Sequence, residues 1–537
     1  MFSIAILIGI YSYIIFSLGL LGLFYKQTIL ISTIFFVLIV LFFAKDKLNI
    51  SRFKIKIKNV IKEVKIYHLA LFILILFQLI VNLMGALGPE LGFDALWYHL
   101  TIPKIYLNNH LMSFIPGGLL YYSVMPKLTE MLYIFGLTIG TEISAKFIHF
   151  SFGILSLIAL YKVSRKFLST TYSLLAVVMF YSNLVVGWMS ITAYVDLART
   201  FFEIMALWAF LEWQEKMKTK WLILSAMLLG LAVSTKLLAM VSLLVFSALI
   251  IAKLYAERNR LIIISKSLAI YWGFTLFIVM PWLVFSFLNT NNPFYPFFSN
   301  IYNVGIDMSL LNPFRFLYDS WVIFTKSSDP ILSIYAIFLV VSLILIKKMN
   351  RKYRVIMIYS FLAFLVWYFT PRSGGGRFIL PYLPAFSIVS VVIIQQIKNI
   401  KIRHVFIGLV IFFSLFSITY RGAANLKYIP VILGWESKSE FLSSNLNFSY
   451  GDFYDTDKFF EKKIKQSDTV LLYGFHNLYY VNFPFIDSSY VKKGDKFNYV
   501  AVLGDKLPER FKMWNLIYFN SVTKVKLYSI GGLRWTY

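Results

Sequence analysis

Residues 66–100 read IYHLALFILILFQLIVNLMGALGPELGFDALWYHL. From Ile66 to Pro89 no Asp, Glu, Lys or Arg interrupts the run. About 20 apolar residues in a helix cross a bilayer core. The run then opens directly into an acidic, aromatic stretch in which Asp94 stands among Phe93, Trp97 and Tyr98. This predicts a membrane-spanning chain whose chemistry is to be sought at the ends of its spans.

The rest of the chain agrees. Of its 537 residues 59% are hydrophobic and 14% charged, against about 25% charged in soluble domains. Charge-free runs also cover Met1–Tyr25 and Gln27–Ala44. We read spans near 2–24, 28–44, 67–87, 143–161, 170–190, 197–213, 221–234, 237–252, 262–285, 331–346, 355–370, 378–397 and 405–420, thirteen in all. The runs at 221–234 and 237–252 are either two spans or one long helix bent near Lys236. The first run lacks an n-region charge and a small-residue cleavage site, so it reads as a retained span.

Net charge is +27, from 52 Lys+Arg against 25 Asp+Glu. In a soluble chain that would suggest a nucleic-acid partner. Here the basic residues sit in short clusters between apolar runs, which excludes that class. Alternate loops (44–66, 162–168, 214–220, 253–260, 347–354, 398–403) hold 25 of them. By the positive-inside rule these are cytoplasmic, leaving the N-terminus inside and the C-terminus outside, in a cell (plasma or inner) membrane. The absence of Cys excludes disulfides, thiolate nucleophiles and Cys-based metal sites.

The expected fold is therefore a mainly α polytopic membrane protein with a small C-terminal extracytoplasmic α/β domain. Residues 1–66 are two N-terminal helices and a basic loop. Residues 67–420 form the main transmembrane domain, with long outside loops at 88–142 and 286–330, the first suited to short helices at the interface. Residues 421–537 carry 16 basic and 11 acidic residues and no span. There Val470–Gly474, Tyr499–Gly504, Leu516–Asn520 and Val525–Ile530 read as strands, and Asp455 or Thr456 caps a short helix through Lys465.

Candidate chemistry collects at the outer edge. Asp94 is either a general base raised by desolvation or a solvated loop acid capping 95–107. Asp196 is either a functional membrane-edge carboxylate or the i,i+3 partner of Arg199. Together the two acids could hold a divalent cation, Mg or Mn, through oxygen ligands. Lys236 either snorkels to the interface or contacts a phosphate. Arg372 and Arg377 bracket a glycine turn and offer bidentate donors to phosphate; Lys127 is a third such cation. Glu90, Tyr98 and His99 flank Asp94 and are candidate substrate-binding residues. His99 reads as an interfacial aromatic or, alternatively, a metal ligand. Asn292-Pro293-Phe294-Tyr295-Pro296 reads as a rigid aromatic turn, and His476 has no visible partner.

These residues occur in a telling order. Gly92-Phe93-Asp94 is followed by Met125-Pro126-Lys127, Gly140-Thr141-Glu142 through Lys146, and Tyr194-Val195-Asp196-Leu197. Then come Gly230 through Ser234-Thr235-Lys236, Asn292-Pro293-Phe294-Tyr295-Pro296, and Gly376-Arg377-Phe378 through Pro381-Tyr382-Leu383-Pro384. Over roughly residues 67–400 this resembles the GT-C superfamily of membrane glycosyltransferases, nearest the ArnT-like and protein O-mannosyltransferase (family 39) group. The resemblance implies a polyprenyl-phosphate-linked sugar donor and an extracytoplasmic acceptor. It implies inverting displacement with Asp94 as catalytic base, Asp196 as second acid, and Lys127, Lys236 and Arg377 holding the donor phosphate. The spans at 2–44 match no motif of the family, and the paired acids some relatives carry in the first loop are replaced by Glu90 and Asp94 alone. The rivals are a non-enzymatic transporter or flippase, which should place polar groups at mid-bilayer and show repeat symmetry, and a structural membrane protein. The sequence reading finds neither transporter mark.

Overall fold

The computed structural model describes residues 1–44, 65–301, 307–325, 334–370, 375–504, 506–531 and 534–537. Arg372 and most of the first basic loop lie outside the described residues. Among the described residues eight helices are long and apolar enough to cross a membrane, and shorter apolar helices pack between them.

In chain order these are α1 (Phe2–Leu20), α2 (Lys26–Ala44), α3 (Ile66–Leu87), α4 (Thr101–Asn109), α5 (Leu128–Ile139), α6 (Glu142–Ser164), α7 (Thr170–Tyr181), α8 (Leu184–Met189), α9 (Asp196–Lys216), α10 (Thr219–Thr235), α11 (Ser242–Ala256), α12 (Leu261–Thr290), α13 (Pro313–Thr325), α14 (Ile334–Leu345), α15 (Arg351–Phe369), α16 (Leu383–Gln396) and α17 (Ile400–Asn425). A π-helical turn at Ala95–His99 carries the residues after Asp94, and short 3₁₀ turns cover Gly375–Phe378 and Leu380–Tyr382. Single π turns are enriched at functional sites.

One expected span differs from its reading. The 170–190 run breaks after Tyr181, where Ser182 Oγ and Asn183 Nδ2 bond back to the carbonyls of Val178 and Met179. Such side-chain competition with the helix ladder ends or bends helices. The same device acts before Lys236: the Ser234 and Thr235 hydroxyls donate to Gly230 and Leu231 carbonyls. Lys236 is then extended at φ −152°, ψ 115°. The chain reverses there, because Glu257 just beyond α11 faces Arg351 at the start of α15, while Ser242 at the start of α11 lies beside Glu203 of α9. The one-bent-helix alternative is thereby removed. Within the first long loop, α5 is buried along most of its length and packs on α1 and α6.

The C-terminal domain holds a five-stranded sheet of order β2-β1-β4-β6-β5, formed by β1 (Val470–Tyr473), β2 (Phe485–Asp487), β4 (Tyr499–Leu503), β5 (Asn515–Phe519) and β6 (Val525–Ser529). Strand β1 runs parallel to β2 and β4, and the other pairs are antiparallel. A two-stranded sheet pairs β3 (Lys496–Phe497) with β7 (Trp535–Thr536). All four expected strands are present; β2, β3 and β7 are too short for an alternating pattern to reveal. The expected short helix is smaller, Phe459–Lys463, with Lys458 at its N-cap. Asp455 still serves it, accepting from the Glu461 amide at 2.8 Å.

This domain docks on the loop that carries Asp94. Lys104 Nζ donates to the carbonyls of Tyr479 (2.7 Å) and Val481 (2.8 Å) and to Asn482 Oδ1 (2.8 Å). The Tyr480 hydroxyl donates to the Glu90 carbonyl at 2.9 Å. Glu142, almost wholly buried, pairs with Lys438 and meets the hydroxyls of Tyr479 and Tyr480.

Candidate active site

Four segments far apart in sequence meet beneath this domain. Asp94 precedes the π turn, Asp196 occupies the first turn of α9, Lys236 links α10 to α11, and Arg377 sits in the 3₁₀ turn before α16. Arg377 Nη1 lies 2.7 Å from Asp94 Oδ2. Its Nε faces Asp196 Oδ2 across 3.9 Å. Asp196 Oδ1 accepts from Lys236 Nζ at 2.7 Å. The order Asp94–Arg377–Asp196–Lys236 thus alternates in charge. Asp94, Arg377 and Lys236 side chains keep 16%, 12% and 17% exposure, whereas Asp196 keeps 1%.

Asp196 therefore pairs with Lys236 and faces Arg377, not Arg199. The local i,i+3 partner turns away to Glu203, Nε to Oε1 at 2.7 Å, with both groups buried. That pair lies inside the span read at 197–213, where the sequence reading finds no polar groups at mid-bilayer.

Asp94 is further held by the Tyr98 hydroxyl, which donates to Oδ2 at 3.2 Å, and by its own amide, which donates to the Tyr194 hydroxyl at 3.1 Å. The Arg377 guanidinium stacks 4.9 Å from the Tyr194 ring centre, and Lys236 Nζ stands 4.6 Å over Phe378. Planar cation–aromatic contacts of this kind orient a guanidinium without neutralising it. Beside Asp94, Tyr98 stacks on Tyr122 at 4.1 Å, and Trp97 contacts Tyr122 at 5.2 Å. His476 finds its partners here, stacked on Phe93 at 4.7 Å and packed on Trp97 at 4.3 Å.

The remaining nominated residues divide. Lys127 is buried with its ammonium 6.0 Å from the Tyr98 ring centre, and burial lowers its pKa to about 8. His99 is buried and bonds Glu130 Oε1 through Nδ1 at 2.8 Å. Glu90 is buried too, and faces the protein's own backbone. Its Oε1 accepts from the Leu91 and Gly92 amides (2.9 and 2.6 Å), and Oε2 accepts from the Ala193 amide at 2.6 Å. Burial raises its pKa, against Lys146 and those amides, which lower it.

Sequence reasoning missed Tyr194 and His149. His149 Nδ1 donates to the Thr192 carbonyl at 2.7 Å, which fixes its tautomer, and Nε2 accepts from the Leu197 amide at 3.0 Å. The imidazole so caps α9 directly beside Asp196. Tyr194 was visible two places before Asp196; nothing local marks His149.

The arrangement does not fit the divalent cation expected between Asp94 and Asp196, because Arg377 stands between the two carboxylates. Among the described residues no group of three or more His, Asp or Glu gathers as a metal site.

Residues 128–285 match the family model described as dolichyl-phosphate-mannose-protein mannosyltransferase. No curated protein matches the chain. Among solved structures, ArnT from Cupriavidus metallidurans superposes in its apo state with a TM-score of 0.59, and bound to undecaprenyl phosphate with 0.56. Both are 12% identical and cover 85% of this chain and 97% of theirs. The Archaeoglobus fulgidus oligosaccharyltransferase gives a TM-score of 0.45 at 12% identity, covering 84% of this chain and 73% of that one. The fold is thus ArnT-like, and the expected GT-C architecture is the one observed.

Proposed function

We propose that the protein is an integral membrane glycosyltransferase that moves a sugar from a polyprenyl-phosphate-linked donor to an extracytoplasmic lipid, glycan or protein acceptor. The observation that carries this reading is the convergence of Asp94, Arg377, Asp196 and Lys236 from four segments. The matched ArnT structure bound to undecaprenyl phosphate and the mannosyltransferase family model support it.

In this reading Asp94, partly exposed and aimed by Arg377 and Tyr98, accepts the proton of the acceptor hydroxyl or amine. The acceptor attacks the anomeric carbon while its bond to the lipid phosphate breaks, inverting that centre. Negative charge grows on the leaving phosphate, and Arg377, Lys236 and Lys127 are the cations within the site to meet it. Among the described residues Arg377 Nε makes no hydrogen bond although buried, which leaves a donor for a phosphate oxygen. Asp196, shut from solvent, acts as counter-ion to Lys236 and Arg377. Trp97, Tyr98 and Tyr122 offer faces for sugar rings. The C-terminal domain braces the Asp94 loop.

Topology follows the charge pattern. The clusters at 162–166, 216–220, 253–260, 347–354 and 398–403 stand on the cytoplasmic side and the site on the other. A reporter fused after Tyr537 is expected to score extracytoplasmic.

The test uses purified protein in liposomes with a labelled pool of undecaprenyl-phosphate monosaccharides and a cell-envelope lipid and glycan extract as acceptor. Wild type releases undecaprenyl phosphate and Asp94→Asn does not. Equal release by both would remove Asp94 as base. Labelled lipid that crosses the bilayer without release would favour the transporter.

A further inference from the structure

Beneath the site lies a second polar cluster that touches none of the four charged groups' reacting faces. On α9 Arg199 and Glu203 follow Asp196 at i+3 and i+7, one helix face, with Glu203 about 10 Å further into the bundle. Arg199 Nε donates to Glu203 Oε1 at 2.7 Å, and Arg199 Nη2 donates to the Tyr382 hydroxyl at 3.0 Å. The Tyr382 and Ser242 hydroxyls bond each other at 2.9 Å, and Ser242 donates to Glu203 Oε2 at 2.8 Å. Four hydrogen bonds close a ring of four side chains, each at most 1% exposed.

The membership of the ring matters more than its burial. Arg199 and Glu203 belong to the helix that begins with Asp196. Ser242 opens α11, six residues after Lys236. Tyr382 ends the 3₁₀ segment that follows Arg377 by five residues. The three elements joined by the ring are therefore the three that deliver Asp196, Lys236 and Arg377. Neither Lys236 nor Arg377 stands in regular α-helix, so their positions depend on what anchors their short flanking turns.

A buried ion pair is weak evidence for stability, since apolar residues of similar volume often replace one at no loss. A role in fixing geometry explains better why charge is retained here. We propose that Arg199, Glu203, Ser242 and Tyr382 are positioning residues that set the mutual register of Asp196, Lys236 and Arg377. The kinetic consequence rests on the glycosyltransferase reading; the structural one does not.

Two variants test this in nanodiscs. Arg199→Met/Glu203→Leu removes both charges together, so neither is left buried and unpaired, and leaves the Tyr382 and Ser242 hydroxyls only each other. Tyr382→Phe opens the hydrogen-bond ring by removing one hydroxyl while keeping the aromatic side chain, and serves if the double variant fails to fold. Both are read by undecaprenyl phosphate release from its monosaccharide esters and by hydrogen–deuterium exchange. The double variant is expected to lose at least tenfold in kcat with the donor KM within twofold. Exchange should rise at least tenfold over 236–242 and 375–382 and stay unchanged in α6 and the C-terminal sheet. Tyr382→Phe should show three- to tenfold changes in the same two readouts. Wild-type kcat and exchange in either folded variant would overturn the proposal. If wild type itself releases no lipid phosphate, the glycosyltransferase reading fails. Exchange over the two segments then decides the positioning role alone: a local rise supports it, and an unchanged pattern removes it.

Discussion

Glu90 Oε2 accepts a 2.6 Å hydrogen bond from the Ala193 amide, 103 positions along the chain. Its other oxygen holds the Leu91 and Gly92 amides, so one carboxylate ties the loop of Asp94 to the loop of Asp196. A buried amide left unpaired costs about 1–3 kcal/mol, and Glu90→Ala strands three. Glu90→Gln keeps one carbonyl acceptor and turns an NH₂ group against a backbone N–H. Both variants should lower kcat, by roughly tenfold for Gln and about a hundredfold for Ala, with the donor KM little changed. A raised KM at constant kcat would instead return Glu90 to the substrate-contacting role expected from sequence.

Arg377 reaches Asp94 through one nitrogen and faces Asp196 with another. A lysine ammonium is a point charge and cannot span the two carboxylates. Arg377→Lys should therefore lose tenfold or more in kcat/KM. Arg377→Gln leaves Asp94 without its cation, and truncating one partner of a buried charge pair costs about 2–5 kcal/mol, about thirtyfold or more. Steady-state release of lipid phosphate measures both. Near-wild-type activity of Arg377→Lys would show that only charge is needed there.

The acids and cations of this site could be nominated from sequence because charge at the outer end of an apolar run is conspicuous. Asp94, Asp196, Lys236 and Arg377 were all found this way. Which of them pair was not legible. Arg199 was the obvious neighbour of Asp196, yet the helix places Glu203 one turn beyond, and tertiary packing brings Lys236 instead. Glu90 looked like a substrate contact because its partners are backbone amides, which no residue pattern records. Glu203 and Arg199 escaped notice as mid-span charges because an i,i+4 pair neutralises itself within one apolar window. His149 and His476 find partners on segments about 50 and several hundred residues away, beyond any local signal.

Docking of the C-terminal domain should depend on pH through His476. Burial, the largest influence, lowers its pKa below the ordinary 6.5, although Asn477, Asp94 and Asp452 raise it. The undocked imidazole therefore takes up a proton first. The contribution to docking is complete above pH 6.5 and declines as pH falls from there toward the lowered docked value. The group is only partly buried, so the effect is on the order of threefold in opening per pH unit. Limited proteolysis of the domain between pH 7.5 and 5 should accelerate accordingly, and His476→Phe, which retains the stack on Phe93 and Trp97, should flatten the profile. A profile identical in both proteins would place the pH sensitivity elsewhere.

Gly117 and Gly118 provide a paired test of the same docking. Gly117 has φ +97°, and a Cβ there would fall 2.0 Å from the Ser489 carbonyl oxygen. A side chain is thus strained by its backbone conformation and blocked by main chain that cannot rotate away. At Gly118 a Cβ would meet nothing within 4 Å. The neighbouring Leu119 amide donates to Ser489 Oγ at 3.2 Å, and the Leu119 carbonyl receives the Trp97 indole N–H at 2.9 Å. Displacing this turn therefore disturbs both the domain contact and the aromatic wall beside Asp94. Gly117→Ala should speed proteolytic cleavage within the C-terminal domain several-fold and reduce sugar transfer, whereas Gly118→Ala should leave both within twofold of wild type. If the two substitutions behave alike, the close approach of Gly117 to Ser489 does not hold the domain in place. The bracing role of the C-terminal domain would then rest on the contacts of Lys104, Tyr480, Glu142 and His476.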